Sequence, residues 1–270
     1  MGVRGIPPIL FSRNEHKLKL KSSLVKAQNS LTLRLIQFGL KKSTPVSLER
    51  LGSHYGGWYV PSDFANSSSY QKVLISAGIG QDVTFDLEMQ KRNFYVVAID
   101  PLKSSCNFAE NSELDQSKLR IVNAGLWVNS GQTIFHPPKI KTHNSWSITS
   151  SQKSSSVLGT KFNTITIAEI LRFIPGDQDR QIVVLKMDIE GAERYLFESI
   201  IINHNSFDFI GIELDYIYLL PFTQIFKRLG LILETRKNIR NLEAVGLTLV
   251  HSDSFNFFWL NINLLRKIKK

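Results

Sequence analysis

The sequence predicts an α/β fold, a mostly parallel sheet with helices on both faces, and three observations carry that prediction. Short, nearly continuous apolar runs such as VLISAG, YVVAID and IVVLKMDI read as strands buried on both sides. Stretches with helical spacing separate them, which is the alternation of a parallel sheet. The last two apolar runs follow one another with no helical crossover, so at least one closing strand runs antiparallel.

Residues 1–50 form a basic N-terminal extension in which LTLRLIQFGL has the spacing of a short amphipathic helix that packs on the rest of the chain. LGSHYGGWYVP (51–61) is a glycine- and aromatic-rich lead-in, and Ser67–Ser69 reads as a loop. The regular part begins near Gln71. VLISAGIG (73–80) is a strand and turn, FDLEMQKR (85–92) a helix, YVVAID (95–100) a strand ending in an acid, and KLRIVNAGLWV (118–128) another strand. Asn129, Ser130 and Gly131 turn into TIFHPP, a hairpin extension, and SITSSQKSSS (147–156) is a serine-rich loop. TITIAEILRFI (164–174) is a helix capped by Thr164 or Thr166, with Glu169 three residues after Thr166. IVVLKMDI (182–189) is a buried strand, AERYLFESII (192–201) its helix, and FDFIGIEL (207–214) the next strand. PFTQIFKRLG (221–230) has Pro at a helix start and Gly at its end, after which LILETRK and FNFFWLNI (255–262) close as a strand pair.

A chain of 270 residues that is 43% hydrophobic can bury a sizeable core. A lone Cys106 excludes an intramolecular disulfide and any cysteine-rich metal site, and reads as a buried thiol in a reducing compartment. No apolar run approaches the roughly 18–20 residues that span a bilayer, and the first residues lack the apolar core and cleavage site of a signal peptide. The expectation is a cytoplasmic protein. Its formal charge of +10 sits at the ends: residues 1–50 carry a net +8 and LLRKIKK adds +4, which leaves the middle near −2. The surplus therefore marks solvated flanks, able to touch an anionic membrane peripherally, and no specific nucleic-acid cleft.

In KVLISAGIGQD, Gly78 and Gly80 follow a strand and precede a helix, so the backbone turns tightly and leaves its amides open to a cofactor. Asp100 ends the next strand, twenty residues after Gly80, where a carboxylate accepts hydrogen bonds from vicinal ribose hydroxyls. Together they point to a nucleoside-containing cofactor, a nicotinamide dinucleotide or S-adenosylmethionine; the structural alternative is a turn with a helix-capping acid. A dinucleotide fingerprint wants a third glycine where Val83 stands, and Asp82 and Asp86 at that helix start repel a pyrophosphate while suiting an ammonium.

LGSHYGGWYVP, ISAGIGQDVTFDLEM, VVAIDP, IVNAGLW and LKMDIEGAE, in that order, resemble the FkbM-type family of S-adenosylmethionine-dependent methyltransferases. The resemblance covers 51–262 as a methyltransferase domain and leaves 1–50 and the basic tail 263–270 outside. It implies a Rossmann-like class I methyltransferase fold, with a seven-stranded, mostly parallel sheet and an antiparallel last strand. It implies O-methylation, commonly of sugar or polyketide hydroxyls. It also implies that Ala77, Gly78, Gly80 and Asp82 hold the methionyl end, Asp100 the ribose, and Asn123 with Ala124 the adenine edge. Ser76 stands where many methyltransferases place an acid for the cofactor ammonium, a duty open to Asp82, Asp86 or a backbone carbonyl.

Asp188, Glu190 and Glu213 lie at the ends of two apolar runs, where α/β sheets bind ligands. A sugar hydroxyl is a weak nucleophile, so the three compete for the roles of general base, magnesium ligand and loop support. Glu193 reads as structural, starting a helix where its charge suits the dipole. Histidines form no HxxH or HxxxH pair; His136 and His143 fall in the segment expected over the cofactor, and Trp58, Tyr59, Trp127 and Trp146 are candidates to stack on a sugar. Two other readings stand beside an O-methyltransferase: a nicotinamide-dependent oxidoreductase, and a non-catalytic module that holds a membrane or partner enzyme.

Overall fold

The computed structural model describes residues 9–40, 42–43, 46–66, 71–138, 146–148, 159–176, 181–218 and 224–263, without side chains at 9–22 and 65–66. His143, the loop at Ser67–Ser69, most of the serine-rich stretch, Pro221 and the tail beyond Asn263 lie outside the described residues. The chain opens with α1 (Ile9–Gln37), then β1 (Leu48–Leu51), β2 (Trp58–Pro61) and α2 (Ser62–Asn66). The alternating core follows as β3 (Gln71–Ala77), α3 (Thr84–Lys91), β4 (Phe94–Ile99), α4 (Lys103–Glu110) and β5 (Leu119–Val122). Next come β6 (Gly125–Leu126), β7 (Gly131–Phe135), β8 (Thr160–Ile165) and α5 (Ile167–Leu171). The chain continues as β9 (Gln181–Met187), α6 (Phe197–Ile202), β10 (Phe209–Glu213), α7 (Asp215–Tyr218), α8 (Ile225–Ala244), β11 (Leu247–Asp253) and β12 (Asn256–Asn261).

The main sheet has seven strands in the order β11-β12-β10-β9-β3-β4-β5. It is mixed: β9, β10, β3, β4 and β5 pair in parallel, while β12, last in the chain, lies antiparallel between β10 and β11. β3 and β9 are the buried centre, which explains their unbroken apolar runs. Alternate residues of β3 feed two cores: Val73, Ile75 and Ala77 face one layer of helices and Leu74 the other. Among the described residues no helix is long and apolar enough to cross a membrane.

Four readings of the sequence change. LILETRK is helical, because α8 runs through Gly230, which meets open space, and buries Leu231, Ile232, Thr235, Ile239 and Leu242 at helical spacing. The closing pair is instead β11 and β12, joined at Ser254. KLRIVNAGLWV divides between β5 in the main sheet and β6 in a small sheet with β7 and β8. TITIAEILRFI is strand up to Ile165, after which Thr166 and Glu169 form the capping box of α5. LTLRLIQFGL, read as a short helix, ends a 29-residue one. That helix packs on α8, with Ile36 fully buried. Arg236 Nη1 donates to the carbonyls of Leu35 (2.6 Å), Ile36 (3.2 Å) and Phe38 (2.6 Å), satisfying the orphan acceptors of its C-terminus.

Candidate active site

The strand register builds the site. Ser76 pairs with Lys186 and Ala77 with Met187, so the turn after β3 and the loop after β9 leave the sheet side by side. Asp188 N donates to Ala77 O at 3.0 Å. Gly78 has φ +78, and a Cβ there would lie 1.6 Å from Asp188 O, so only glycine lets the two loops touch. Gly80, at φ +55, meets open space where a Cβ would stand.

Asp100, 6% exposed at the end of β4, accepts from Gly80 N (3.1 Å) and Leu102 N (2.8 Å). With the Ser105 side chain also bonded to it, three of the about four acceptor sites of an ionised carboxylate are taken, which leaves one open. Burial pushes its pKa up, against the pull of the Leu102, Gly80 and Ser105 hydrogen bonds and of Lys186. Burial also acts on Asp82, but hydrogen bonds from Ser53, Thr84 and Gly56 outweigh it and hold that carboxyl below its ordinary value. Ser53 Oγ reaches it at 2.6 Å and Thr84 N at 3.0 Å, so Asp82 caps the start of α3 and ties down the lead-in segment. Asp86 is buried behind the loop facing Ser76 and Lys186; burial raises its pKa, and neither of its oxygens completes a hydrogen bond of normal geometry.

Gly78, Gly80, Asp82, Asp100, Asp188, Glu190 and Glu213 all open into one cavity of about 1640 Å³. Ala77 is buried in β3 and does not line it. Neither do Asn123 and Ala124: the Asn123 amide donates to the carbonyls of Asp100 (3.1 Å) and Pro101 (3.0 Å), and Leu102, Phe108, Gly125 and Leu126 line that end instead. Trp58 and Trp146 reach the cavity, whereas Tyr59 packs on His251 and Phe258, Trp127 on Tyr195, and His136 bridges to Ser147 away from the lining.

Asp188, Glu213 and Asp215 each bring a carboxylate oxygen within 4.8 Å of the others. Glu190, at φ +57, lines the cavity outside that group. Asp215 had no sequence signal of its own, because only the start of α7 turns it toward β9. Burial raises the pKa of Asp188, with Lys186 opposing. Burial and then the fields of Asp188 and Glu190 push Glu213 up to about 8, and burial followed by the fields of Glu213, Glu193, Asp188 and Glu190 raises Asp215 well above its usual value. Such a group suits a proton acceptor, or a hard cation that takes carboxylate oxygens. Glu193 is structural: its Oε1 accepts from Ile189 N (3.0 Å) and Gly191 N (3.1 Å), fixing the loop that carries Asp188 and Glu190.

Lys186, the lysine of LKMDIEGAE to which the sequence assigns no role, is a buried cation of the site. At 5% exposure its ammonium donates to Gly78 O at 2.7 Å, lies 5.3 Å from the Trp58 ring, and draws down Asp86, Asp100, Asp188 and Glu213. A lysine inside the run IVVLKMDI was the available signal, since a buried ammonium requires partners.

Because Glu213 holds its proton more tightly folded than unfolded, the unfolded chain binds fewer protons between roughly pH 4.5 and 8, and stability falls across that window. Glu213→Gln is expected to flatten this fall and to gain about 1 kcal/mol or more at pH 8, roughly 2–4 °C in Tm. Thermal melts of both proteins at pH 5 and 8 check it; an equal difference at the two pH values contradicts it.

No curated protein matches the chain. A family profile describing the methyltransferase FkbM domain matches residues 61–230, from the end of β2 into α8. That span is more than half of the chain and holds the glycine turn, Asp100 and the whole acid group, so the chain belongs to the FkbM methyltransferase family.

Proposed function

We propose that the protein is an S-adenosylmethionine-dependent O-methyltransferase of the Rossmann-like class I kind, acting on a hydroxyl of a sugar, glycan or related natural product. One observation carries the reading: the Gly78–Gly80 turn, Asp100 with spare acceptor capacity, and Asp188, Glu213 and Asp215 all face one cavity. The carboxylates favour a cationic donor, and the apolar Leu102, Phe108 and Leu126 favour its adenine. A nicotinamide dinucleotide fits worse, because Asp82 already occupies the α3 amide that a pyrophosphate would need.

When bound, the donor supplies an activated methyl group. The chain then has two tasks: the glycine turn, its Gly78 and Gly80 amides already given to Ile99 O and Asp100, lets the donor come close to Asp100, and an acceptor hydroxyl would give its proton to Asp188 as its oxygen takes the methyl in line and the donor's sulfur–methyl bond breaks, leaving the neutral thioether. Glu213, pushed up to about 8, keeps its proton at neutral pH, and burial raises Asp215 in the same direction, which lessens the negative charge beside Asp188. The same three side chains would take magnesium if the acceptor hydroxyl is activated by a metal instead.

Calorimetric titration of S-adenosylhomocysteine tests the donor half. The wild type is expected to bind it, and Asp100→Ala to bind about 10- to 100-fold more weakly, the loss of one hydrogen bond to a charged acceptor. No binding by the wild type, or equal binding by the variant, sinks the reading; NADH binding in its place revives the oxidoreductase.

A further inference from the structure

The cavity exceeds what a donor needs, and part of its wall is not in the family match. Its volume of about 1640 Å³ compares with the roughly 300–1,000 Å³ of a single-ligand pocket. Lys26, Asn29, Ser30, Leu33, Arg34 and Gln37 line it, which is one flank of α1 at three- to four-residue spacing, ahead of residue 61 where the match begins. The helix is fixed there: Gln37 Nε2 donates to Ser252 Oγ at 2.9 Å, and Arg228 Nη1 to Thr32 Oγ1 at 3.4 Å.

Sheet order says which end of the cavity this is. Ser252 belongs to β11 at one edge, while the glycine turn and Asp100 stand at the ends of β3 and β4. The acids at the ends of β9 and β10 therefore lie between the donor turn and α1. An acceptor that presents its oxygen to those acids, opposite the donor, rests on α1.

The two sides differ in charge. Asp188, Glu190, Glu213 and Asp215 form the floor, whereas α1 presents Lys26 and Arg34, both exposed, neither in an ion pair among the described residues. A neutral sugar forms no ion pair with the two cations, and an anionic one has its charged end favoured on the α1 side, away from whichever floor carboxylates remain ionised.

We propose that α1 is the acceptor wall, and that the acceptor bears a phosphate or carboxylate that Arg34 and Lys26 bind. The arginine fork matches either anion bidentately. Lys26 and Arg34 are eight residues apart, about 12 Å along the axis, a span bridged by a sugar phosphate and the reach of both side chains. The proposal rests on the methyltransferase reading for the fate of the hydroxyl, and on α1 alone for the anion.

Glucose 1-phosphate, glucuronate and glucose, titrated into the full chain and followed by ligand-observed magnetic resonance, test it beside S-adenosylhomocysteine. At least one anionic probe is expected to bind about ten-fold more tightly than glucose, and the double variant Lys26→Gln/Arg34→Gln to erase that preference. The preferred anion identifies phosphate or carboxylate. Unchanged S-adenosylhomocysteine affinity shows the double variant folded, and Arg34→Lys is expected to retain part of the preference. Absence of any preference in the wild type, or the same preference in the double variant, overturns the proposal. Failure of S-adenosylhomocysteine to bind the wild type overturns the donor reading instead and leaves the anion comparison decisive for α1.

Discussion

Gly78→Ala is expected to destabilise the protein by roughly 3–5 kcal/mol and to abolish donor binding. A Cβ would lie 1.6 Å from Asp188 O, well inside atomic contact, and φ +78 is a conformation that L residues adopt at a cost. Relief requires β3 and β9 to part where Asp188 N meets Ala77 O, which displaces the turn and the acid together. Gly80→Ala separates local strain from collision: its Cβ meets nothing, so only the φ of +55 counts, about 1–2 kcal/mol. Urea melts of both variants measure the contrast, and equal losses would contradict the contact between the loops.

Asp188→Asn is expected to lower methyl transfer about 10²- to 10⁴-fold, the usual range for a lost general base. S-adenosylhomocysteine affinity should stay within about three-fold, because Asp188 meets the donor turn through its backbone and its side chain is proposed to serve the acceptor. Stability should hold or rise, as the change removes a buried carboxyl from a crowded acid group. Rates and affinities measured on the same preparations check the split; a loss confined to donor affinity would move Asp188 out of the chemistry.

The central fold was legible because β3 and β9 are buried on both faces, so their apolar runs carry no alternation to misread. The glycine turn and Asp100 were legible for a local reason, since each sits at the end of its own strand. LILETRK was not: its apolar triplet fits a strand, and only the layer beneath α8 selects the helical set from Leu231 to Leu242. Lys186 and Asp215 stand two residues from Asp188 and Glu213, but what brings them into the site is the pairing of β9 with β3 and the first turn of α7, which the sequence alone does not show. The role of α1 was hidden too, because basic residues mask the flank it turns toward the cavity. Asn123 is the opposite case, a residue whose position fits the adenine edge but whose amide is spent on the carbonyls of Asp100 and Pro101.

A crystal structure of the full chain with S-adenosylhomocysteine is the most direct measurement. The nucleoside is expected over Gly78 and Gly80, the ribose hydroxyls on Asp100, and the sulfur directed at Asp188, Glu213 and Asp215 with room for an acceptor between them and α1. A nucleoside bound elsewhere, or a sulfur turned away from those three carboxylates, would contradict the methyl-transfer reading.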